Sequence, residues 1–277
     1  MPVHIFRRQL EYIKKHYQPL KLCDLVAARL RDGVYPSHAV VITVDDGYAD
    51  FYRWAFPLLQ EFEIPATVFV VTGLLDGAGW IWIDKVLYLC EHACGIPIFA
   101  EENQSALFRV IRLLPVTGRD SLINELIEES NVSIPAEVPE KYALMSWEQL
   151  QEVANSGLIE IGSHTRTHPI LAYVNEKDSW EELYTSRCEI QQRLSVPVQS
   201  FCYPNAMPGD YRQDQVEMLR RAGYLCATVA QFGYISAQSN IFTLPRITGN
   251  TEDMDLFLMS LDGVKYFKQR ILGYDFA

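Results

Sequence analysis

Ala39-Val40-Val41-Ile42-Thr43-Val44 is an unbroken apolar and β-branched run that stops at Asp45-Asp46-Gly47. A run without polar alternation suits a strand covered on both faces, and strands of that kind belong to parallel sheets. Parallel neighbours cannot be joined by a hairpin; they need a crossover, usually a helix. The chain supplies one: Phe51 to Phe62 has helical spacing, and Ala66 to Val71 is a second buried-strand run. The pattern recurs downstream, with helix Trp147–Asn155 closed by Gly157, strand Ile159–Gly162, helix Ser179–Leu194 and strand Val198–Tyr203. Helix Gln213–Ala222, strand Leu225–Val229 and strand Thr243–Ile247 complete it. Alternation over this length predicts an α/β fold, either a β/α barrel or an open doubly wound sheet. Two helices precede it, over residues 4–17 and over Leu22–Leu30, the second ended by Asp32-Gly33. Residues 85–145 read as an irregular helical insertion, with segments Lys85–Cys90, Ala106–Leu114 and Asp120–Glu129 and a proline-bearing tail from Ile134 to Pro139. Residues 1–277 are therefore expected to form a single domain carrying that insertion, without internal repeats.

Charge narrows the partners. With 24 basic against 35 acidic residues the formal net charge is −11, which argues against a nucleic-acid partner, since that needs clustered Lys and Arg. No apolar stretch reaches the 18 residues of a transmembrane span, and the first residues lack a secretory signal. The six cysteines show no framework spacing and read as free thiols. Cys90 and Cys94, with His92 between them, suggest a metal knuckle but lack its second half. These features predict a cytoplasmic protein for the chain as given, or an exported or membrane-associated one if its N-terminus is incomplete.

Two segments carry chemistry. In Val41 to Tyr52, Asp45 and Asp46 follow a buried strand at its C-terminal end, where β/α folds place catalysis. Asp-Asp-Gly is also a good turn, but two charges after an apolar strand are costly unless something positive meets them. In Glu160 to Leu171, His164 and His168 again follow a short strand. If that segment turns helically, histidines four apart share one face at chelating distance. A zinc peptidase would need Glu after the first His, and Thr165 stands there instead. Two imidazoles and one carboxylate make a three-ligand set with open positions, leaving the second carboxylate as general base.

The chain resembles the polysaccharide deacetylase (NodB-homology) family of carbohydrate esterases, whose fold is a distorted (β/α) barrel. The family's T-F-D-D-G motif is matched at Thr43-Val44-Asp45-Asp46-Gly47, and its H-[ST]-x-x-H motif at His164-Thr165-Arg166-Thr167-His168. The likeness extends to the helix Phe6–Tyr17, the strand–helix unit through Phe69, the stretch Ser146 to Thr165, and Leu244-Pro245-Arg246-Ile247-Thr248. The resemblance implies Asp45 as base and Asp46, His164 and His168 as ligands of a divalent metal, zinc the first candidate. It implies hydrolysis of N-acetyl groups on an amino-sugar polysaccharide or oligosaccharide.

Departures from the family pattern sharpen the expectations. In place of R-P-P-[YF] the chain has Phe201-Cys202-Tyr203-Pro204-Asn205, a variant resembling the F-x-Y-P-N branch, with Cys202 where the Arg that orients the base would stand. Arg246 is the candidate to replace it. Tyr203 and Pro204 are expected beside the substrate, with the Tyr203 backbone N–H on the oxyanion; Tyr48, Trp82 and Trp80 are candidate sugar contacts at the mouth. The family's late catalytic histidine has no counterpart, because no histidine follows His168. His38 precedes its strand, His4 and His16 belong to the first helix, and His92 to the insertion. Relatives of this branch begin with an extra strand, whereas this chain starts almost at the helix, which would leave the barrel without its first strand. Two alternatives follow: a catalytically impaired pseudoenzyme that binds carbohydrate, or a small-molecule amide hydrolase of the same superfamily.

Overall fold

A computed structural model describes residues 1–93 and 95–263; Cys94, half of the suggested knuckle, lies outside the described residues. Helix α1 (Val3–His16) buries Ile5, Leu10 and Ile13 along one face, as its spacing predicts. After β1 (Gln18–Pro19) comes α2 (Leu22–Asp32), which ends at Gly33 in the left-handed region, φ 77°. The β-branched run is not one strand. It divides at Val41 into β2 (Ala39–Val40), parallel to β1, and β3 (Ile42–Val44), parallel to β4 (Ala66–Val70). Nor is it covered on both faces: it is half-buried throughout, because β3 is an edge of the main sheet, whereas every residue of β4 is buried. Between them a π turn over Phe51–Ala55 runs into α3 (Phe56–Phe62), with Pro57 at the junction, where it removes one N–H from the helical ladder.

The insertion forms α4 (Trp82–His92), α5 (Glu101–Arg112) and α6 (Val116–Ser130). These helices build a second core from Trp82, Leu89, Ile111 and Leu126, to which Ile170, two residues past His168, also belongs. Helix α7 (Trp147–Asn155) is opened by a reciprocal cap between Ser146 and Gln149 and leads to β5 (Ile159–Ser163). Helix α8 (Glu176–Leu194) starts before the expected Ser179, because Asn175 caps it by accepting the Asp178 N–H. Strand β6 (Ser200–Cys202), α9 (Gln213–Arg221), β7 (Cys226–Phe232), β8 (Leu244–Arg246) and α10 (Met254–Leu261) follow. No helix among the described residues is long and apolar enough to cross a membrane.

Strand order decides between the two expected architectures. The six strands run β3-β4-β5-β6-β7-β8, all parallel, each crossover stepping to the next position in the same direction. A doubly wound sheet would reverse its order partway, whereas a monotonic order of right-handed crossovers curls into a barrel wall. Here it makes a curled half-barrel whose edge strands, β3 and β8, share no backbone ladder.

Helix α2 seals part of the interior. Its first amides donate inward, Leu22 N–H to Thr67 Oγ1 (3.0 Å) and Cys23 N–H to Glu160 Oε2 (3.0 Å). Glu160, 8% exposed, also accepts from Thr67 (2.9 Å) and Ser200 (2.5 Å). A buried carboxylate is tolerable there because a helix N-terminus and two hydroxyls replace its water.

Candidate metal centre

Strand β3 carries Asp45 and Asp46 to the C-terminal mouth of the sheet, and β5 carries His164 there, its N–H continuing the ladder onto the Val70 carbonyl (2.9 Å). The Asp-Asp-Gly turn is tight. Gly47 has φ 83°, and a Cβ on it would lie 2.9 Å from Val70 Cγ1, so only glycine fits. Asp46 also lies in the left-handed region, φ 69°, at a cost on the order of 1–2 kcal/mol.

The helical turn expected between His164 and His168 does not form; the two imidazoles meet by another route. Thr165 takes φ 69° and His168 φ 57°, and the Thr165 hydroxyl accepts the His168 N–H at 3.0 Å. Glu182 on α8 accepts the intervening Arg166 and Thr167 amides at 2.7 and 3.0 Å, which holds the loop open as a hairpin-like arc. Backbone strain of this kind persists only where surrounding bonds fix it, and it gathers at functional sites.

The arc brings three donors together. His164 Nε2 lies 3.4 Å and His168 Nε2 3.3 Å from Asp46 Oδ1, and the ligand atoms of all three lie within 4.8 Å of one another. Asp46 Oδ1 is buried and has no hydrogen-bond partner among the described residues. Two ligands bound tetrahedrally at zinc-like distances of about 2.0–2.1 Å stand roughly 3.3–3.4 Å apart, so the spacing fits such an ion. His164 Nδ1 meets the Cys202 carbonyl at 2.6 Å, the outer contact that orients a metal-binding imidazole. Burial would raise the Asp46 carboxyl, but both histidines outweigh it and hold it far below the ordinary carboxylate range. Burial works against charge on His164 too, yet Cys202 and the two aspartates carry its pKa well above the usual histidine value. Negative potential therefore concentrates where a cation would sit.

Arg246 reaches Asp45 across the open edge of the half-barrel. Its Nη1 and Nη2 donate to Asp45 Oδ1 and Oδ2 at 2.7 and 2.8 Å, with a further contact to Thr43 Oγ1 at 3.2 Å. This bidentate pair bridges β3 and β8, which no ladder joins. Burial alone would raise the Asp45 pKa; the guanidinium overrides it and keeps the group below the ordinary range.

Other expected contacts fall differently. Tyr203 is 1% exposed, its ring packed on Phe201 and Tyr211, and its N–H is engaged by the Thr228 carbonyl at 3.3 Å, so it offers neither a free amide nor a sugar platform. Pro204 is buried beside it and has no N–H; the next amide in that loop belongs to Asn205. Trp82 packs in the second core with the Arg119 guanidinium 5.3 Å over its ring. Tyr48 is half-buried and donates its hydroxyl to Asp84 at 2.9 Å. Trp80 is half-buried among Tyr88 and Tyr142, its Nε1 donating to the Pro135 carbonyl at 3.4 Å. His92 stacks on Tyr88 in the insertion, and no further histidine joins a metal-capable group among the described residues.

Two features of the site escape a sequence reading. Cys202 brings its thiol within 4.8 Å of ligand atoms of Asp45 and His164, a proximity only the adjacency of β5 and β6 creates. Asp84, 4% exposed, is pushed up to about 7, first by burial and then by the charge of Asp46, with Tyr48 and Lys141 opposing. The apolar neighbours Ile81, Trp82 and Val86 are a faint clue that this carboxylate is internal.

A family model described as polysaccharide deacetylase matches residues 32–227. A poly-beta-1,6-N-acetyl-D-glucosamine N-deacetylase of Escherichia coli (strain K12) is 26% identical over 182 residues, 65% of this chain and 20% of that protein. The protein of the same name from Staphylococcus aureus (strain MSSA476) is 31% identical over 68 residues, 24% of this chain and 23% of its own. The chain thus spans about a fifth of the length of the curated relatives it matches. Among solved structures, the Streptococcus pyogenes deacetylase PplD in complex with acetate superposes with a TM-score of 0.61 at 19% identity, covering 95% of this chain and 85% of that one. The BpsB deacetylase domain from Bordetella bronchiseptica gives 0.56 at 23% identity, covering 86% and 82%. These likenesses carry the fold, the curled parallel half-barrel. The family match runs from the end of α2 into β7, through the Asp-Asp-Gly turn and the histidine arc, and the chain belongs to the polysaccharide deacetylase family.

Proposed function

We propose that this chain hydrolyses N-acetyl groups on a poly-N-acetylglucosamine type of polysaccharide, with a divalent metal, zinc first, held by Asp46, His164 and His168. The observation that carries the reading is the orphaned Asp46 Oδ1 facing two imidazole nitrogens at 3.3 and 3.4 Å, next to a carboxylate that Arg246 keeps ionised. The name of the Escherichia coli relative supports the sugar class.

When bound, a divalent ion supplies Lewis acidity toward an amide carbonyl and lowers the pKa of water. The chain's own residues supply the rest. Asp45 takes a proton from the attacking water as its oxygen bonds to the acetyl carbon. Arg246 fixes the direction of that carboxylate and keeps it charged, at some loss of basicity. When the C–N bond breaks, the proton on Asp45 passes to the leaving nitrogen, giving acetate and a free amine. One carboxyl thus serves both halves of the reaction, which suits a site whose metal-capable groups, among the described residues, hold no third histidine. Asn205, with φ 60° just past Pro204, presents the nearest amide in sequence after the engaged Tyr203 N–H and is the candidate oxyanion donor.

Acetate release from β-1,6-linked N-acetylglucosamine oligomers tests this. The expected result is release that Asp45→Asn abolishes while metal content is kept; release that survives Asp45→Asn would exclude Asp45 as the base. A carbohydrate binder without turnover is the second reading, favoured by the missing third histidine, and any Asp45-dependent release excludes it. A small-molecule hydrolase would show no gain in rate as the oligomer lengthens.

A further inference from the structure

Between the helical insertion and the histidine arc lies a cavity of about 330 Å³. Thr167, one residue before His168, forms part of its wall, and Leu74 closes it from the loop after β4. That loop is tied to the arc by Gly73 N–H on the Arg166 carbonyl (2.9 Å), so the cavity lies against the loop that carries His168. Its volume is at the small end of ligand pockets and suits a single sugar unit, not a length of chain.

The lining is rich in donors. Trp82, 5% exposed, has a buried Nε1 with no hydrogen-bond partner among the described residues, a donor left wanting an acceptor. A buried N–H without a partner is uncommon and calls for an explanation such as a ligand. Arg119, 6% exposed, covers the Trp82 ring and spends its Nε on Asp120 at 2.9 Å. Lys85 is half-buried on the same wall and forms no ion pair among the described residues. With Arg119 and Asp120 offsetting one another, Lys85 leaves the cavity one positive charge. The half-buried indole of Trp80 adds an apolar side.

We infer that this cavity holds the sugar unit adjacent to the one being cut, and that it takes that unit only in its N-acetylated form. The inference rests on the deacetylase reading for its sugar class. An acetamido group is neutral and brings a carbonyl acceptor to a wall whose buried Trp82 N–H has none among the described residues. A deacetylated unit carries an ammonium, which meets Lys85 as a like charge and offers no acceptor there. Such a site would hinder cutting next to an existing free amine and so space the deacetylated units along the polymer.

The test is binding, separate from turnover. Zinc-loaded Asp45→Asn protein is titrated by calorimetry with a β-1,6-linked N-acetylglucosamine pentamer and with its fully de-N-acetylated counterpart. The expected result is at least tenfold tighter binding of the acetylated pentamer. Lys85→Glu, made in the same background, should erase that preference, and Lys85→Gln should reduce it, with circular dichroism confirming the fold of each. Trp82→Phe, which keeps an aromatic ring but lacks the N–H, should weaken the acetylated pentamer several-fold. Equal affinities, or a preference indifferent to Lys85, would overturn the inference, as would no binding of either. Acetate release by wild type is measured alongside. Release with a Lys85-independent preference removes the subsite alone; a Lys85-dependent preference without release sustains the subsite and removes the deacetylase reading alone.

Discussion

At the scale of single residues, two carboxylates near the mouth are tuned in opposite directions. Arg246 holds Asp45 below the ordinary range. A depressed pKa means stability present above the unfolded value, lost as pH falls through the lower native one. Arg246→Gln should therefore cost roughly 1–3 kcal/mol at neutral pH, since it leaves a half-buried carboxylate unpaired. It should also move the acid limb of any deacetylase pH profile to higher pH, because Asp45 must be ionised to act; a limb that stays in place would separate Arg246 from the base. Asp84 runs the other way, with a native value of about 7. The folded protein then holds a proton that the unfolded chain has lost, so stability falls as pH rises from the ordinary carboxylate range through 7. In chelated protein, Asp84→Asn should gain on wild type across that window, by up to about 4 kcal/mol, and the gap should level off above it. Thermal melts from pH 5 to 8 would check the sign.

At the scale of elements, the strand–helix alternation was legible because parallel strands are apolar throughout and each helix carries its own stripe. Gly33 and Gly157 marked real stops, and Trp147–Asn155 has the bounds its pattern predicts. Less legible were features set by neighbours in space. The run 39–44 is divided because β1 claims its first half and β4 its second. The histidine arc replaces a helical turn because Thr165 and Glu182 hold the backbone, and Glu182 lies far along the chain. Tyr203 looked like a substrate contact by motif, but the adjacency of β6 and β7 occupies its amide. Glu160 is another case: nothing in its sequence setting announces that it caps α2 from inside the sheet. Glu160→Ala would leave Cys23 N–H and two buried hydroxyls without an acceptor, which should destabilise the fold by about 3 kcal/mol in urea titration. A loss below about 0.5 kcal/mol would show that water replaces it.

At the scale of the whole molecule, the six-stranded sheet curls far enough for its edges to be joined by a side-chain pair instead of a ladder. That pair, Asp45 with Arg246, lies beside the three-donor set, so closing the half-barrel and placing the proposed base are one event. The donor set itself was readable from two short motifs, because the chemistry fixes residue types that the fold leaves free. The partner of Asp45 was readable only as a candidate, since its place depends on how far the sheet curls. The proposed hydrolysis depends on a metal ion at that set. The decisive measurement is metal content by elemental analysis after dialysis, in wild type and in His164→Ala. About one equivalent of zinc or a similar divalent metal in wild type, lost in the variant, is the predicted result. Wild type that stays metal-free after reconstitution, or a variant that binds as well as wild type, would contradict it.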